Sequence, residues 1–309
     1  MFHLNRKRKS YDLRKGPIRK QWWIFVLPLM AAFVIGFVWP FIQGIYLSFC
    51  TFTTTSNAKL NGVMNNKALF ANYLKAFKDP TFVRSFWYSA LFAVVSLIII
   101  NVLAFTVAYL LTRELKGSNL FRTVFFMPNL IGGIVLGYIW SMIFDGILYM
   151  YGKTLVTEPV WGFWALVVVV AWQQIGYMMI IYIAGLQAVP NDMLEAARID
   201  GATGWQSLWR VTIPNVMPSI TICTFLSLTN GFKLFDQNLA LTNGLPKPFV
   251  NGVPVGKTEM IALNIYNTFY TGNTSARGTA QAKAVLFFLL VAALGLIQLS
   301  VTRKKEVQQ

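Results

Sequence analysis

Six stretches of this chain are apolar and long enough to cross a bilayer, which takes about 20 residues as a helix. They run near Trp22–Phe49, Ser85–Thr112, Thr123–Phe144, Gly162–Val189, Asn215–Leu241 and Ala284–Thr302. The expected fold class is therefore all-α, a polytopic membrane protein of six transmembrane helices. Pro28, Gly36 and Pro40 predict kinks in the first span, and Pro128 with Gly132-Gly133 marks the start of the third. Trp22 and Trp23 stand where an aromatic belt meets the headgroups.

Composition agrees. Apolar residues make up 56% and charged residues only 12%, against about 25% charged in soluble domains. The net charge of +16 is unevenly placed, with eight basic residues crowded into the first twenty, from Arg6 to Lys20. Directly before an apolar run, this reads as a cytoplasmic flank rather than a nucleic-acid-binding arm. The order resembles a signal peptide, but the apolar stretch is too long and no small-residue cleavage site follows cleanly, so a retained first span is expected.

An even number of spans puts both termini on one side. That side collects sixteen of the 27 Lys and Arg, including Arg113, Lys116, Arg122, Arg198, Arg210, Arg303, Lys304 and Lys305. Both termini and the loop at 190–214 are thus expected in the cytoplasm. The outer loops, 51–83, 145–161 and 242–280, read as turns and loops. The chain is taken as one transmembrane domain, 1–309, with a basic tail at 1–21 and a second tail at 303–309. Cys50, Cys223 and His3 show no metal or disulfide spacing. No metal site, catalytic group or cofactor is expected. Lys233 and Asp236, three apart, read as a local ion pair on a helix face.

The loop after the fourth span is polar and organised. Pro190 stops that span. Asn191 or Asp192 is expected to cap a short helix, with Asp192 and Glu195 at capping-box spacing. Gly201 is placed to end it in the left-handed conformation. Thr203 with Gln206 predicts a second capping box, and Pro214 closes the unit. Such an element suits docking of a soluble partner.

The spacing Glu195-Ala196-Ala197, three residues, Gly201, nine residues, then Val211-Thr212-Ile213-Pro214 resembles the EAA loop of ABC importer permeases. The likeness extends to Pro40-Phe41-Ile42, Ser48-Phe49, Asn72-Tyr73, Asp79-Pro80, Phe121-Arg122 through Met127-Pro128, and Leu241-Thr242-Asn243-Gly244. The chain looks like the binding-protein-dependent sugar importers, similar to the larger permease of maltose-type systems. It departs from that subunit in having six spans and no large external domain. The resemblance implies a type I ABC importer permease fold in a bacterial cytoplasmic membrane. It implies a heterodimer with a second permease, two cytoplasmic ATPase subunits that bind the ATP, and an extracytoplasmic solute-binding protein. The permease itself would be no enzyme. Its ATPase-coupling residues would be Glu195, Ala196, Ala197, Asp200, Gly201 and Pro214.

Gly252 through Gly256-Lys257-Thr258 superficially resembles a phosphate-binding loop. Three residues separate its glycines instead of four, and Pro254 removes a backbone donor. A solute path needs uncharged polar groups inside the bundle. Gln173, Gln174 and Tyr177 of span four, and Ser227, Asn230 and Gly231 of span five, supply them. By residue type alone they serve equally as hydrogen-bonding glue between helices. The resemblance favours a sugar path, placing family contact positions on these residues and on Val170 and Leu234. The last two carry no polar group, a departure from a maltose-like pose. Trp172 adds an aromatic surface of undetermined direction. The alternative cargo is glycerol phosphate, a polyol or another organic solute. A phosphate ester calls for basic groups along the path, and none falls near the middle of spans four and five. A secondary transporter is a further alternative, but the span centres lack acids for ion coupling.

Overall fold

The structure, a computed structural model, describes residues 18–55, 57–62, 68–113, 117–250 and 252–303. Residues 1–17 of the basic tail, Lys116 and residues 304–309 of the second tail lie outside them. Four helices are long and apolar enough to span a membrane, and two bent helix pairs bring the number to six.

The first span joins α1 (Ile18–Phe33) to α2 (Trp39–Ser48) through a π-helical stretch, Val34–Val38. A short hairpin, β1 (Cys50–Phe52) with β2 (Ala58–Leu60), and α3 (Ala71–Lys78) lead to the second span, α4 (Pro80–Leu111). Asp79 caps α4, accepting from the Thr81 N–H at 2.9 Å, and Pro80 sits where no amide donor is needed. The buried face of α4 alternates large and small residues, among them Ser85, Ser89, Ala93, Ser96, Ala104 and Ala108. Small residues let neighbouring helices approach closely where lipid offers no hydrophobic drive.

The third span is not the single helix expected. α5 (Ser118–Phe126) and the 3₁₀ turn Met127–Leu130 meet α6 (Gly133–Tyr149) at 98°. Ile131 and Gly132 are extended at the break. The fourth span, α7 (Pro159–Gln187), is the most buried of the four unbroken ones, with 61% of its apolar stretch inside the protein. Gly176 explains how α5 reaches it, because a Cβ there would strike the Phe125 carbonyl.

After α7 come α8 (Asn191–Ile199), α9 (Gly204–Ser207), a π-helical turn Leu208–Thr212 and α10 (Ile213–Asn215). A 71° bend leads into α11 (Met217–Lys233). Span five then breaks again before α12 (Asp236–Leu241), which packs against α6; a Cβ on Gly133 or Gly137 would meet Asp236, Gln237 or Ala240. The i,i+3 relation of Lys233 and Asp236 is lost across this break, and no ion pair joins them.

The 242–280 region holds more structure than turns. A hairpin, β3 (Phe249–Val250) with β4 (Val253–Pro254), precedes α13 (Ile261–Tyr270), and the last span, α14 (Ala276–Arg303), begins well before Ala284. Gly252, with φ +79°, turns the hairpin, and the Thr258 hydroxyl donates to the Leu245 carbonyl at 2.6 Å.

At the end of the bundle where α4 begins, Lys283 of α14 is fully buried. Its Nζ donates to Asp79 at 2.7 Å, Thr268 at 2.8 Å and Asn264 at 2.9 Å. Glu259, also buried, accepts from Asn267 at 2.6 Å and Asn264 at 3.2 Å. Burial alone would push the Asp79 carboxyl up. The hydrogen bond and charge of Lys283, with the Thr81 donors, outweigh it and hold Asp79 below the usual carboxylate range.

Candidate functional site

Two arrangements stand out, an exposed knuckle between α7 and α11 and a polar cavity on the same two helices.

The knuckle stabilises itself locally. Pro190 in extended conformation occupies the N-cap of α8, and no side chain caps it. Asn191 and Asp192 therefore lie inside the first turn rather than capping it. Asp192 still complements the positive end of the helix dipole. The other end follows the sequence closely. Gly201 has φ +76°, its N–H donates to Arg198 at 3.1 Å, and the Ala202 N–H donates to Ala197 at 2.9 Å. This is a Schellman motif. Thr203 then makes a reciprocal capping box, its N–H donating to Gln206 Oε1 at 2.8 Å and its Oγ1 accepting from the Gln206 N–H at 3.3 Å. Glu195, Ala196, Asp200 and Gly201 are exposed, and Ala197 and Pro214 half-buried. At the base, Gly185 of α7 is so close to Ser219 of α11 that a Cβ would collide with the serine side chain. A force on the knuckle thus reaches both helices.

The cavity, ≈ 590 Å³, lies where the two broken spans face α7. Gln173, Gln174 and Tyr177 come to it from α7, and Asn230 from α11. Asn230 Nδ2 donates to Gln174 Oε1 at 3.3 Å. Gln173 ties three elements together: its Nε2 donates to the Ile131 carbonyl at 3.0 Å, and its Oε1 accepts from Gln237 at 2.6 Å. The free Ile131 carbonyl is a product of the helix break, and an amide side chain satisfies it.

Ser227 and Gly231 do not line this cavity. They sit one helical turn apart on the face of α11 toward α4. Ser227 accepts from Asn101 at 3.1 Å, and Asn101 in turn accepts from the Tyr182 hydroxyl at 2.7 Å. Gly231 admits the Ala93 backbone. Val170 is in the core, whereas Leu234 reaches the cavity wall. Trp172 points to Trp140, with ring centroids 5.4 Å apart. Five further lining side chains escaped the sequence reading: Asn129, Lys233, Phe235, Asp236 and Gln237. Each flanks a helix break, where helical spacing no longer tells which way a side chain points. Lys233 and Asp236 place charge on a path expected to carry none.

A family profile described as "Binding-protein-dependent transport system inner membrane component" matches residues 113–307. The probable starch degradation products transport system permease protein AmyD of Thermoanaerobacterium thermosulfurigenes is 40% identical over 300 residues, 93% of this chain and 95% of that one. The multiple sugar-binding transport system permease protein MsmF of Streptococcus mutans is 28% identical, covering 94% and 98%. The sn-glycerol-3-phosphate transport system permease protein UgpA of Agrobacterium fabrum is also 28% identical, covering 92% and 94%. Among solved structures, a chain of a bacterial ABC transporter that imports the acidic polysaccharide alginate shares the fold, with TM-score 0.74 and 18% identity over 93% of this chain and 97% of that one.

Proposed function

The chain belongs to the family of binding-protein-dependent transport system inner membrane components, and from that premise we propose that it is one of two permease subunits of an ATP-driven importer for a neutral oligosaccharide. The amide-rich cavity carries this reading. Gln174, Asn230 and Tyr177 offer donors and acceptors for hydroxyl groups, and Phe235 offers an aromatic wall. Neutral polar groups of this kind hold a sugar without the desolvation cost of a charged ligand.

Coupling follows from the knuckle. A cytoplasmic ATPase subunit docks on Glu195, Ala196, Ala197, Asp200 and Gly201, and a second ATPase docks on the partner permease. Pro214 and the bend at Val216 carry the motion into α11. ATP-driven closure of the ATPase pair moves both permeases between inward-open and outward-open states, provided the ATPases bind the two states unequally. A solute-binding protein delivers the cargo from the outer side, and both termini lie in the cytoplasm. Hydrolysis belongs to the ATPase subunits.

A second cargo, glycerol phosphate, is favoured by one observation, Lys233 on the cavity wall. Asp236 on the same wall opposes it by like-charge repulsion of a phosphate. Uptake by the reconstituted transporter separates the two. With an oligosaccharide cargo, Gln174→Ala and Tyr177→Ala each lower uptake by about 3- to 10-fold, the loss of one hydrogen bond to ligand, and glycerol phosphate does not compete. Unchanged uptake in both variants rules the cavity out as the sugar path. Uptake driven by an ion gradient and indifferent to vanadate rules out the ATP-driven machine.

A further inference from the structure

The segment following α8 carries an exposed aromatic pair that the coupling role does not use. Trp205 and Trp209 are 68% and 54% exposed, one helical turn apart, with ring centroids at 5.6 Å and planes at 66°. Two large apolar rings left open on a short polar element need a covering phase. Four observations say what it is. First, the Gly204–Asn215 segment is bent 71° from α11, so with α11 across the bilayer it runs closer to the plane of the surface than to the normal. Secondly, Thr212 is buried and Leu208 half-buried, whereas both tryptophans are exposed. Thirdly, on α4 an exposed ring, Trp87, stands near the helix start, and the outward face beyond it is aliphatic, with Leu91, Val94, Ile98 and Val102. Indole rings favour the headgroup level because one edge is polar and the body apolar. Fourthly, charge is divided along the knuckle. α8 and its cap hold the acids Asp192, Glu195 and Asp200, whereas no Asp or Glu occurs between Gly201 and Phe235, and Arg210 is exposed beside Trp209.

We propose that Trp205, Trp209 and Arg210 seat the Gly204–Asn215 segment in the headgroup layer of an anionic leaflet, leaving the acidic face of α8 to the protein partner. The lipid surface then acts as the fulcrum of the knuckle. One end of it is held at the membrane, and displacement of α8 turns the segment about that point rather than lifting it away. Arg210 adds attraction to acidic headgroups.

The assembled transporter in vesicles of phosphatidylcholine and phosphatidylglycerol, with lipids brominated high on the acyl chain, tests this. Bromine quenches only tryptophans at that depth. The Trp205→Phe/Trp209→Phe variant is expected to lose the quenched signal of two of the chain's 10 tryptophans, and each single variant half of that loss. Replacing phosphatidylglycerol by phosphatidylcholine is expected to weaken quenching in the wild type but not in Arg210→Gln. Equal quenching of wild type and double variant in the assembled transporter overturns the proposal. So does a difference that emerges only when the ATPase subunits are stripped off, which assigns the pair to a protein interface. Gel filtration of the variants checks assembly, and wild-type uptake in the same vesicles keeps the outcome separate from that of the permease reading.

Discussion

At the far end of the bundle the buried Lys283 bonds directly to Asp79, Asn264 and Thr268, whereas at the knuckle Thr203 and Gln206 satisfy each other in full view of solvent. The first cluster is drawn from two helices, α13 and α14, and the cap of α4. The second draws them from four consecutive residues. A desolvated charge makes its surroundings rigid, because no partner can leave without a large cost. A self-capped element keeps its shape when nothing touches it, and so can be presented to a moving partner. Under the proposed coupling, the contrast lets one end hold still while the other accepts a push.

The largest expected effect comes from breaking the far cluster. Lys283→Met removes the cation from Asp79, which keeps its Thr81 donors and is 25% exposed, and should cost about 3 kcal/mol, the lower end of the range for removing one member of a buried pair, read as a drop in thermal unfolding temperature in detergent. A drop no larger than that of an exposed control would refute the clamp. Next, Asn101→Ala removes the carbonyl that accepts from the Tyr182 hydroxyl and the amide that donates to Ser227 and should cost about 1–3 kcal/mol, with little effect on the dependence of uptake on ATP. Gly201→Ala forces a side chain into the left-handed region at about 1–2 kcal/mol, confined to the knuckle. Its signature is uptake lost out of proportion to stability, and hydrogen exchange localised to 191–207 reports it. Glu195→Ala, at an exposed position, should leave unfolding unchanged and reduce uptake alone.

Acidification gives the smallest and most specific effect. Asp79 titrates lower in the folded protein than in the unfolded chain. Its contribution is therefore complete above about pH 4 and disappears as pH falls through the lowered value. In Lys283→Met only burial and the Thr81 donors remain, so the acid loss should begin at higher pH. The same acid midpoint in both proteins would mean that Lys283 does not set it.

The six spans, Gly201 as a terminator and the Thr203–Gln206 box were all legible, because each depends on residues within a few positions of one another. The two helix breaks were legible to different degrees. Pro128 and Gly132-Gly133 stand at the first, but they read as the start of one span and not as a break inside it. Nothing in Leu234-Phe235 announces the second, since both residues suit a helix interior. That break arises where α12 packs against the bare backbones of Gly133 and Gly137. The cavity shows the same division. Gln173, Gln174, Tyr177 and Asn230 follow helical spacing into it, while Asn129, Phe235 and Gln237 arrive through the breaks.

Hydropathy and local hydrogen bonding were enough to determine a six-span helical protein with a capped polar knuckle, since both act between neighbours in the chain. Only the tertiary structure decided that Lys283 is a buried cation rather than a loop charge, that Ser227 faces α4, and that Lys233 and Asp236 look into the cavity. Those outcomes depend on what lies opposite each side chain, and for Lys283 the partner is 204 residues away.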